Sequence, residues 1–130
     1  MLRYYVFEND KLKVAALAAE GEAYGPASPV LTFLQQKSNE RQYSASAKGF
    51  KSVFKRFAAG ERLPVELFHE ADKAKKVWEF IKGDLRVFGF RDVHGNVMLT
   101  GACIKKGQKA DSTEVERAFR ARTEFGDKAI

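Results

Sequence analysis

Residues 84–108 read DLRVFGFRDVHGNVMLTGACIKKGQ, and this stretch decides the fold. Two apolar runs, LRVFGF and VMLTGACI, flank a short polar segment at residues 92–96. Apolar runs of this length, rich in β-branched and aromatic residues, are typical of β-strands, and the polar segment has the length of a hairpin connection. The stretch therefore predicts two antiparallel strands.

The first of these strands has two different faces. Side chains alternate across a strand, so Leu85 and Val87 share one face. The other face carries an arginine and two aromatic rings: Arg86, Phe88 and Phe90. An arginine beside aromatic rings on a sheet face can bind a phosphate bidentately or stack on a base.

Positive charge also follows the second strand, at Lys105 and Lys106. We interpret these lysines and Arg86 as a group that holds a phosphate backbone against the sheet. An alternative for Arg86 is an ion pair with Glu79 or Asp84 across a hairpin. The alternative for the two lysines is a solvated strand end.

Residues on the amino-terminal side extend the sheet. VWEFI at 77–81 predicts a third strand, joined through residues 82–84, which makes an antiparallel meander. LRYYVF at 2–7 predicts a strand that ends in a turn. Residues 11–17 favour either a helix by propensity or a strand paired with the first, and residues 21–28 are rich in turn formers and predict a loop.

Two helices are predicted in the first half of the chain. Ser28 is a suitable N-cap and Pro29 suits the first helical position, so one helix covers 28–37. A longer helix covers roughly 40–59, and Gly60 is placed to follow its C-cap. Its apolar residues recur at spacings of three and four, which predicts one buried stripe: Tyr43, Ala47, Phe50, Phe54 and Phe57.

A last helix is predicted at about 112–125, starting near Asp111 or Thr113. Thr113 and Glu116 have the spacing of a capping box. Four apolar residues are expected to face the sheet: Val115, Ala118, Phe119 and Phe125. Before the meander, residues 63–68 predict a short extended segment.

The predicted elements make one α+β domain over residues 1–130. Helices separate from strands in the sequence indicate an antiparallel β-sheet with an N-terminal helical pair and a C-terminal helix packed on it. A chain of 130 residues can bury one hydrophobic core.

The net charge of +6 is uneven, since residues 1–30 hold three Lys and Arg against four Asp and Glu. A basic protein of this size is expected to bind polyanions, most often nucleic acid; a merely solubilising surface is the alternative. No apolar run reaches the length of a membrane span, and the first residues lack the pattern of a secretory signal. The single cysteine, Cys103, excludes an internal disulfide and fits a reducing cytoplasm.

Most catalytic constellations are absent from the sequence. No glycine-rich phosphate loop is present, and His69 and His94 are far apart with no zinc-ligand spacing, so we predict no metal and no cofactor. The HEAD segment at 69–72 lacks the pattern of a metal site. Cys103 is interpreted as a small buried residue rather than a nucleophile, and His94 as an exposed residue at a turn.

An ordered set of residues in the second half of the chain resembles the RelE/HigB-type toxins of toxin–antitoxin systems and their phage-derived relatives. Those proteins show a tryptophan–glutamate pair, then a glycine and an arginine before an aromatic strand, a lysine pair and a helix entry. The corresponding residues here are Trp78-Glu79, Gly83, Arg86, Lys105-Lys106, Gln108-Lys109 and residues 114–118.

The resemblance implies a RelE/ParE-like α+β fold with a curved antiparallel sheet. It also implies a cytoplasmic toxin that cleaves mRNA at the ribosome without a metal ion and so inhibits translation. A cognate antitoxin, often a helix-turn-helix DNA-binding protein, would neutralise it. Relative to compact members, residues 1–27 would be an N-terminal extension.

Metal-free RNA cleavage needs a base for the 2′-hydroxyl, positive charge for the phosphorane and an acid for the 5′-oxygen. We assign the catalytic roles to four basic residues: Arg86, Lys82, Lys105 and Lys106. Further RNA contacts are predicted for Lys109, Arg91, His94 and Phe125. The residues do not say which group is the base.

Two other functions remain open at this point. One is a binding module on the same scaffold that blocks its target by occupancy, as the gyrase-directed ParE branch does. The other is a phage-derived relative that has kept the fold and lost the activity.

Overall fold

The computed structural model describes residues 2–18 and 28–130 of the chain. These residues form six strands and three helices: β1 (Tyr4–Asn9), β2 (Lys13–Leu17), α1 (Pro29–Ser38), α2 (Ser44–Ala58), β3 (Phe68–Asp72), β4 (Val77–Lys82), β5 (Leu85–Arg91), β6 (Val97–Ile104) and α3 (Ser112–Phe125). The predicted loop at 21–28 lies outside the described residues except for Ser28. None of the described helices is long and apolar enough to cross a bilayer.

The six strands form one sheet in the order β1-β2-β6-β5-β4-β3. The predicted meander is confirmed, since β4, β5 and β6 pair antiparallel in sequence order. β1 and β2 form an antiparallel hairpin, so the strand alternative for residues 11–17 is the correct one. β2 then pairs with β6 in parallel.

The predicted arrangement is wrong in two respects. The sheet is mixed rather than antiparallel, because β2 and β6 run in the same direction. The helical pair also does not come first, since β1 and β2 precede α1 and the chain enters the helices from the sheet. A parallel neighbour needs a long crossover connection, and here α1, α2 and three strands lie between β2 and β6.

α1 and α2 begin and end close to the predicted positions. Ser28 Oγ accepts the backbone N–H of Leu31 at 3.4 Å, with Pro29 in the first turn, as expected for an N-cap. α2 begins at Ser44 rather than near residue 40. Gly60 follows the α2 C-cap with a φ of +84°, a left-handed conformation that favours glycine.

The helices pack on opposite faces of the sheet, α1 and α2 on one face and α3 on the other. The core between the helical pair and the sheet is rich in phenylalanine, with edge-to-face and stacked rings from α2 and the strands: Phe50, Phe54, Phe57, Phe68 and Phe80. Two smaller clusters lie under α3, around Phe88 and Phe90. The buried α2 stripe is confirmed except at Tyr43, which is the N-cap residue and only partly buried.

α3 begins one residue after its cap. Asp111 Oδ1 accepts the backbone N–H of Glu114 at 3.0 Å, which confirms Asp111 as the N-cap. The predicted capping box of Thr113 and Glu116 is wrong, because the Glu116 carboxylate instead contacts Lys75 Nζ at 2.9 Å.

β3 is the element that the sequence pattern missed. The extended segment predicted at 63–68 is a turn over 65–67, and the strand follows it as Phe68–Asp72. β3 lies at the edge of the sheet and pairs antiparallel with β4, with His69 directly opposite Glu79. The HEAD segment is therefore part of the sheet.

Candidate functional site

The face of the sheet that carries α3 also carries Arg86. Phe88 and Phe90 lie in the clusters under α3, whereas Leu85 and Val87 lie in the core under α1 and α2. The predicted division of β5 into two faces is therefore confirmed. Arg86 pairs in register with Ile81 on β4 and Cys103 on β6, and all three side chains line one pocket.

This pocket has a volume of about 490 Å³, which is within the usual size range of small-ligand sites. It lies between the ends of β3–β6 and the segment that leads from β6 into α3. Four cationic side chains line it: Arg86, Lys105, Lys106 and Lys109. The two carboxylates that line it are engaged, Asp111 as the α3 cap and Glu79 with His69.

One edge of the Arg86 guanidinium is anchored to the backbone of the β4–β5 turn. Nη1 donates to the carbonyl oxygens of Gly83, at 2.7 Å, and Leu85, at 3.0 Å. Among the described residues no carboxylate forms an ion pair with Arg86, so the alternative with Glu79 or Asp84 is not observed. Nε–H and the Nη2 hydrogens have no acceptor within that part of the chain, which leaves one edge of the fork for a bidentate anion.

His69 and Glu79 form the other polar feature of the pocket. Nε2 of His69 lies 2.7 Å from Oε1 of Glu79, and Nδ1 lies 2.8 Å from the carbonyl oxygen of Val65. The His69 side chain is 36% exposed, whereas the Glu79 side chain is 9% exposed. The imidazole is thus fixed on both nitrogens, and the carboxylate is mostly buried at the wall of the pocket.

Cys103 lies in the same pocket beside Arg86. Burial raises the pKa of the Cys103 thiol to about 11, with smaller contributions from Asp111, Glu114 and Glu79 that outweigh the opposite effect of Lys106. The thiol is therefore protonated at neutral pH and is a poor nucleophile. This agrees with the interpretation of Cys103 as a residue with a packing role.

The structure brings four of the eight predicted site residues together in this pocket, and the other four lie elsewhere. Lys82 is opposite Leu85 in register, so it points to the face of α1 and α2, where its aliphatic chain packs close to Gly49. His94 is exposed in the β5–β6 turn, and its backbone N–H donates to Asp92 Oδ1 at 2.9 Å. Neither residue lines the pocket.

Arg91 and Phe125 are held by packing. The Arg91 guanidinium lies over three aromatic rings on the α2 side of the sheet, those of Phe57, Phe68 and Trp78, at 5.2–5.8 Å from the ring centres. Phe125, the last residue of α3, is buried against the rings of Tyr4 and Phe90, which leaves no ring face for a base. Neither residue lines the pocket.

Sequence reasoning missed the pairing of His69 with Glu79. The signal is present in the four residues HEAD, which precede a clear strand at hairpin distance and can therefore pair with it. Within residues 2–18 and 28–130, no group of three or more His, Cys, Asp and Glu is arranged to hold a metal ion.

A protein-family model matches the chain, and no curated protein does. The match is to the family described as Phage derived protein Gp49-like (DUF891), over residues 36–123. This range covers more than half of the chain and contains α2, β3–β6 and most of α3, together with every residue of the pocket. The chain therefore belongs to the family of phage-derived Gp49-like proteins.

Proposed function

We propose that this chain is the toxin of a toxin–antitoxin system and that it cleaves mRNA at the ribosome, which inhibits translation. Membership of the Gp49-like family supports the toxin assignment. One observation carries the chemistry: Arg86 has one edge anchored and the other edge without a protein acceptor among the described residues, in a pocket with three lysines.

This geometry suits the transition state of phosphodiester cleavage. Charge accumulates on the non-bridging oxygens as the phosphorane forms, and donors fixed before the reaction stabilise that charge without reorganisation. The free edge of Arg86 can bind two of these oxygens, and its anchored edge keeps the fork in position. Lys105, Lys106 and Lys109 are exposed and attract the flanking phosphates of the strand.

The proposed toxin has a substrate on the ribosome, a neutralising antitoxin and a cytoplasmic location. The substrate is mRNA in the translating ribosome, so the toxin acts in the cytoplasm. A cognate antitoxin, a helix-turn-helix DNA-binding protein, blocks the activity. No cofactor and no resident metal ion take part, since the basic side chains supply the charge that the reaction needs.

The test is to induce the chain from a tightly controlled promoter and to map mRNA 5′ ends shortly after induction. We expect growth arrest and new 5′ ends at fixed positions within translated codons, and we expect both to be lost in Arg86→Ala. Lys82→Ala is the matched control, because it removes one positive charge from the same hairpin but from the opposite face of the sheet. Cleavage that survives in Arg86→Ala would contradict the site.

A second candidate function is inhibition by occupancy, with gyrase as the first target to test. The observation that favours it is a row of exposed lysines on α2, on the side of the sheet away from the pocket: Lys48, Lys51 and Lys55. Growth arrest without new 5′ ends, lost in Lys51→Ala and retained in Arg86→Ala, would support this function. Absence of arrest would indicate an inactive relative.

A further inference from the structure

We propose that Glu79 is the general base of the RNA cleavage and that His69 positions it. This inference rests on the proposed endoribonuclease function and adds to it the group that accepts the proton of the 2′-hydroxyl.

The two residues lie where a base is needed. His69 on β3 and Glu79 on β4 are direct cross-strand partners, and Glu79 is opposite Phe88 on β5. Arg86 is two residues before Phe88 on the same face, so it is the diagonal neighbour of Glu79, about 7–8 Å away. One phosphodiester can therefore contact the guanidinium with its non-bridging oxygens while its ribose reaches the carboxylate.

The contacts of the pair fix the orientation of both side chains. Nδ1 of His69 lies 2.8 Å from the Val65 carbonyl oxygen, which can only accept a hydrogen bond. Nε2 lies 2.7 Å from Glu79 Oε1. The imidazole therefore occupies one carboxylate oxygen and holds the Glu79 side chain in place.

The other oxygen of Glu79 is the reactive one. Oε2 has no hydrogen-bond donor among the described residues, although Glu79 lines the pocket. In the reaction Oε2 takes the proton of the 2′-hydroxyl, and the 2′-oxygen forms a bond to phosphorus as the bond from phosphorus to the 5′-oxygen breaks. The 5′-oxygen takes a proton from water, and Glu79 later returns its proton to solvent. The products are a 2′,3′-cyclic phosphate and a 5′-hydroxyl.

A cross-strand pair at the sheet edge can also be purely structural, so the test needs a readout that stability does not change. Other charged and titratable groups face the pair across the pocket from β5, β6 and the segment before α3: Arg86, Cys103, Lys105, Lys106, Lys109 and Asp111. All of them remain in the variants below, so a change in the pH profile is due to the pair.

The experiment measures single-turnover cleavage of mRNA on purified ribosomes by the full chain, from pH 5 to pH 9. Glu79→Gln should lower the rate by at least about 100-fold, the usual effect of losing a general base, without weakening binding to the programmed ribosome. His69→Gln should lower the rate less and alter the pH–rate profile, because the ring that holds Oε1 of the carboxylate is lost. Glu79→Asp should restore part of the activity.

Glu116→Gln is the matched control, because it removes a carboxylate that forms an ion pair with Lys75 outside the pocket; it should cleave at the wild-type rate. Thermal unfolding checks each variant, and if Glu79→Gln does not fold, the profile of His69→Gln decides. Normal cleavage by Glu79→Gln with loss in Arg86→Ala would overturn this inference and leave the proposed function intact. Absence of cleavage by the wild-type chain would overturn both.

Discussion

Two arginines at opposite ends of β5 lie in different environments. Arg86 lies on the α3 face, where it is held by two backbone carbonyls and keeps one edge of its fork without a protein acceptor among the described residues. Arg91 lies on the α2 face, where its guanidinium is half-buried over three aromatic rings and its Nε donates to the Gly95 carbonyl at 3.0 Å. Burial lowers the pKa of Arg91, although Asp92 opposes the shift.

The comparison shows that the face of a strand, more than the residue type, decides what a cation does. Arg86 and Arg91 are five positions apart, an odd number, so strand alternation sends them to opposite faces. One face ends in an open pocket, and the other is covered by α2 and the aromatic residues of β3 and β4. The same side chain can therefore bind an anion at one end of β5 and stabilise the core at the other.

The largest expected effect is the loss of cleavage in Arg86→Ala. Removing one preorganised donor from a phosphorane site costs about 100- to 1000-fold in rate. Arg86→Lys should recover only part of this loss, since an ammonium group cannot bind two oxygens in a fork. Single-turnover cleavage on ribosomes measures both, and Arg91→Ala, assayed where it is folded, should cleave normally. A larger loss in Arg91→Ala than in Arg86→Ala would break the comparison.

The next largest effect is on stability, and here Arg91→Ala should have a larger effect than Arg86→Ala. Arg91→Ala removes cation–π contacts and a hydrogen bond in a half-buried position, so the free energy of unfolding should fall by about 2–3 kcal/mol. Arg86→Ala should lower it by less than about 1 kcal/mol, because its contacts are near the surface of a turn. Urea unfolding followed by the fluorescence of Trp78, the single tryptophan, measures both values.

Equal losses of stability in the two alanine variants would mean that Arg86 is also a packing residue. In that case the exposed edge of its guanidinium would be incidental, and the loss of cleavage in Arg86→Ala would have a structural cause.

A smaller effect is expected from each pocket lysine. Lys105→Ala, Lys106→Ala and Lys109→Ala should each reduce the slope of log affinity against log salt by about 0.7, the value for one contact to a single-stranded phosphate. Fluorescence anisotropy with an RNA strand that carries 2′-deoxy sugars measures binding without cleavage. Lys51→Ala, on the opposite side of the sheet, should leave the slope unchanged, and an equal reduction there would indicate a second RNA surface.

The smallest effect is expected at Cys103. The pKa of its thiol is raised to about 11, so the reactive thiolate is scarce at neutral pH and increases as the pH rises toward that value. Alkylation by iodoacetamide should therefore be slow near neutral pH and faster with each step upward, and Cys103→Ala should cleave at the normal rate. Rapid alkylation at neutral pH would show that the lysines of the pocket outweigh burial.

Much of the fold was predictable, because local patterns carry it. The meander follows from alternating apolar runs with short connections, and the starts of α1 and α3 follow from the N-cap residues Ser28 and Asp111. β3 was missed because Phe68–Asp72 is short, polar and at the sheet edge, where only one partner strand holds it. The parallel pairing of β2 with β6 was missed because it joins residues more than 80 positions apart.

Only the part of the candidate site that lies on one hairpin was predictable from the sequence. Arg86, Lys105, Lys106 and Lys109 meet because they lie on neighbouring ends of one hairpin. Lys82 lies on the opposite face, against α2, and this was not predictable because the sequence did not show which face of the sheet α2 would cover.

The sequence by itself determined the strands, the helix starts and the positive charge at the end of the β5–β6 hairpin, since propensity, alternation and capping act over a few residues. Only the tertiary structure decided which cations share a pocket and which partner each one finds. His69 reaches Glu79 through an edge strand, and Arg91 reaches Phe57 on α2 through the core. The first contact depends on the register of an edge hairpin and the second on packing between elements distant in the chain, and the residue types alone determine neither.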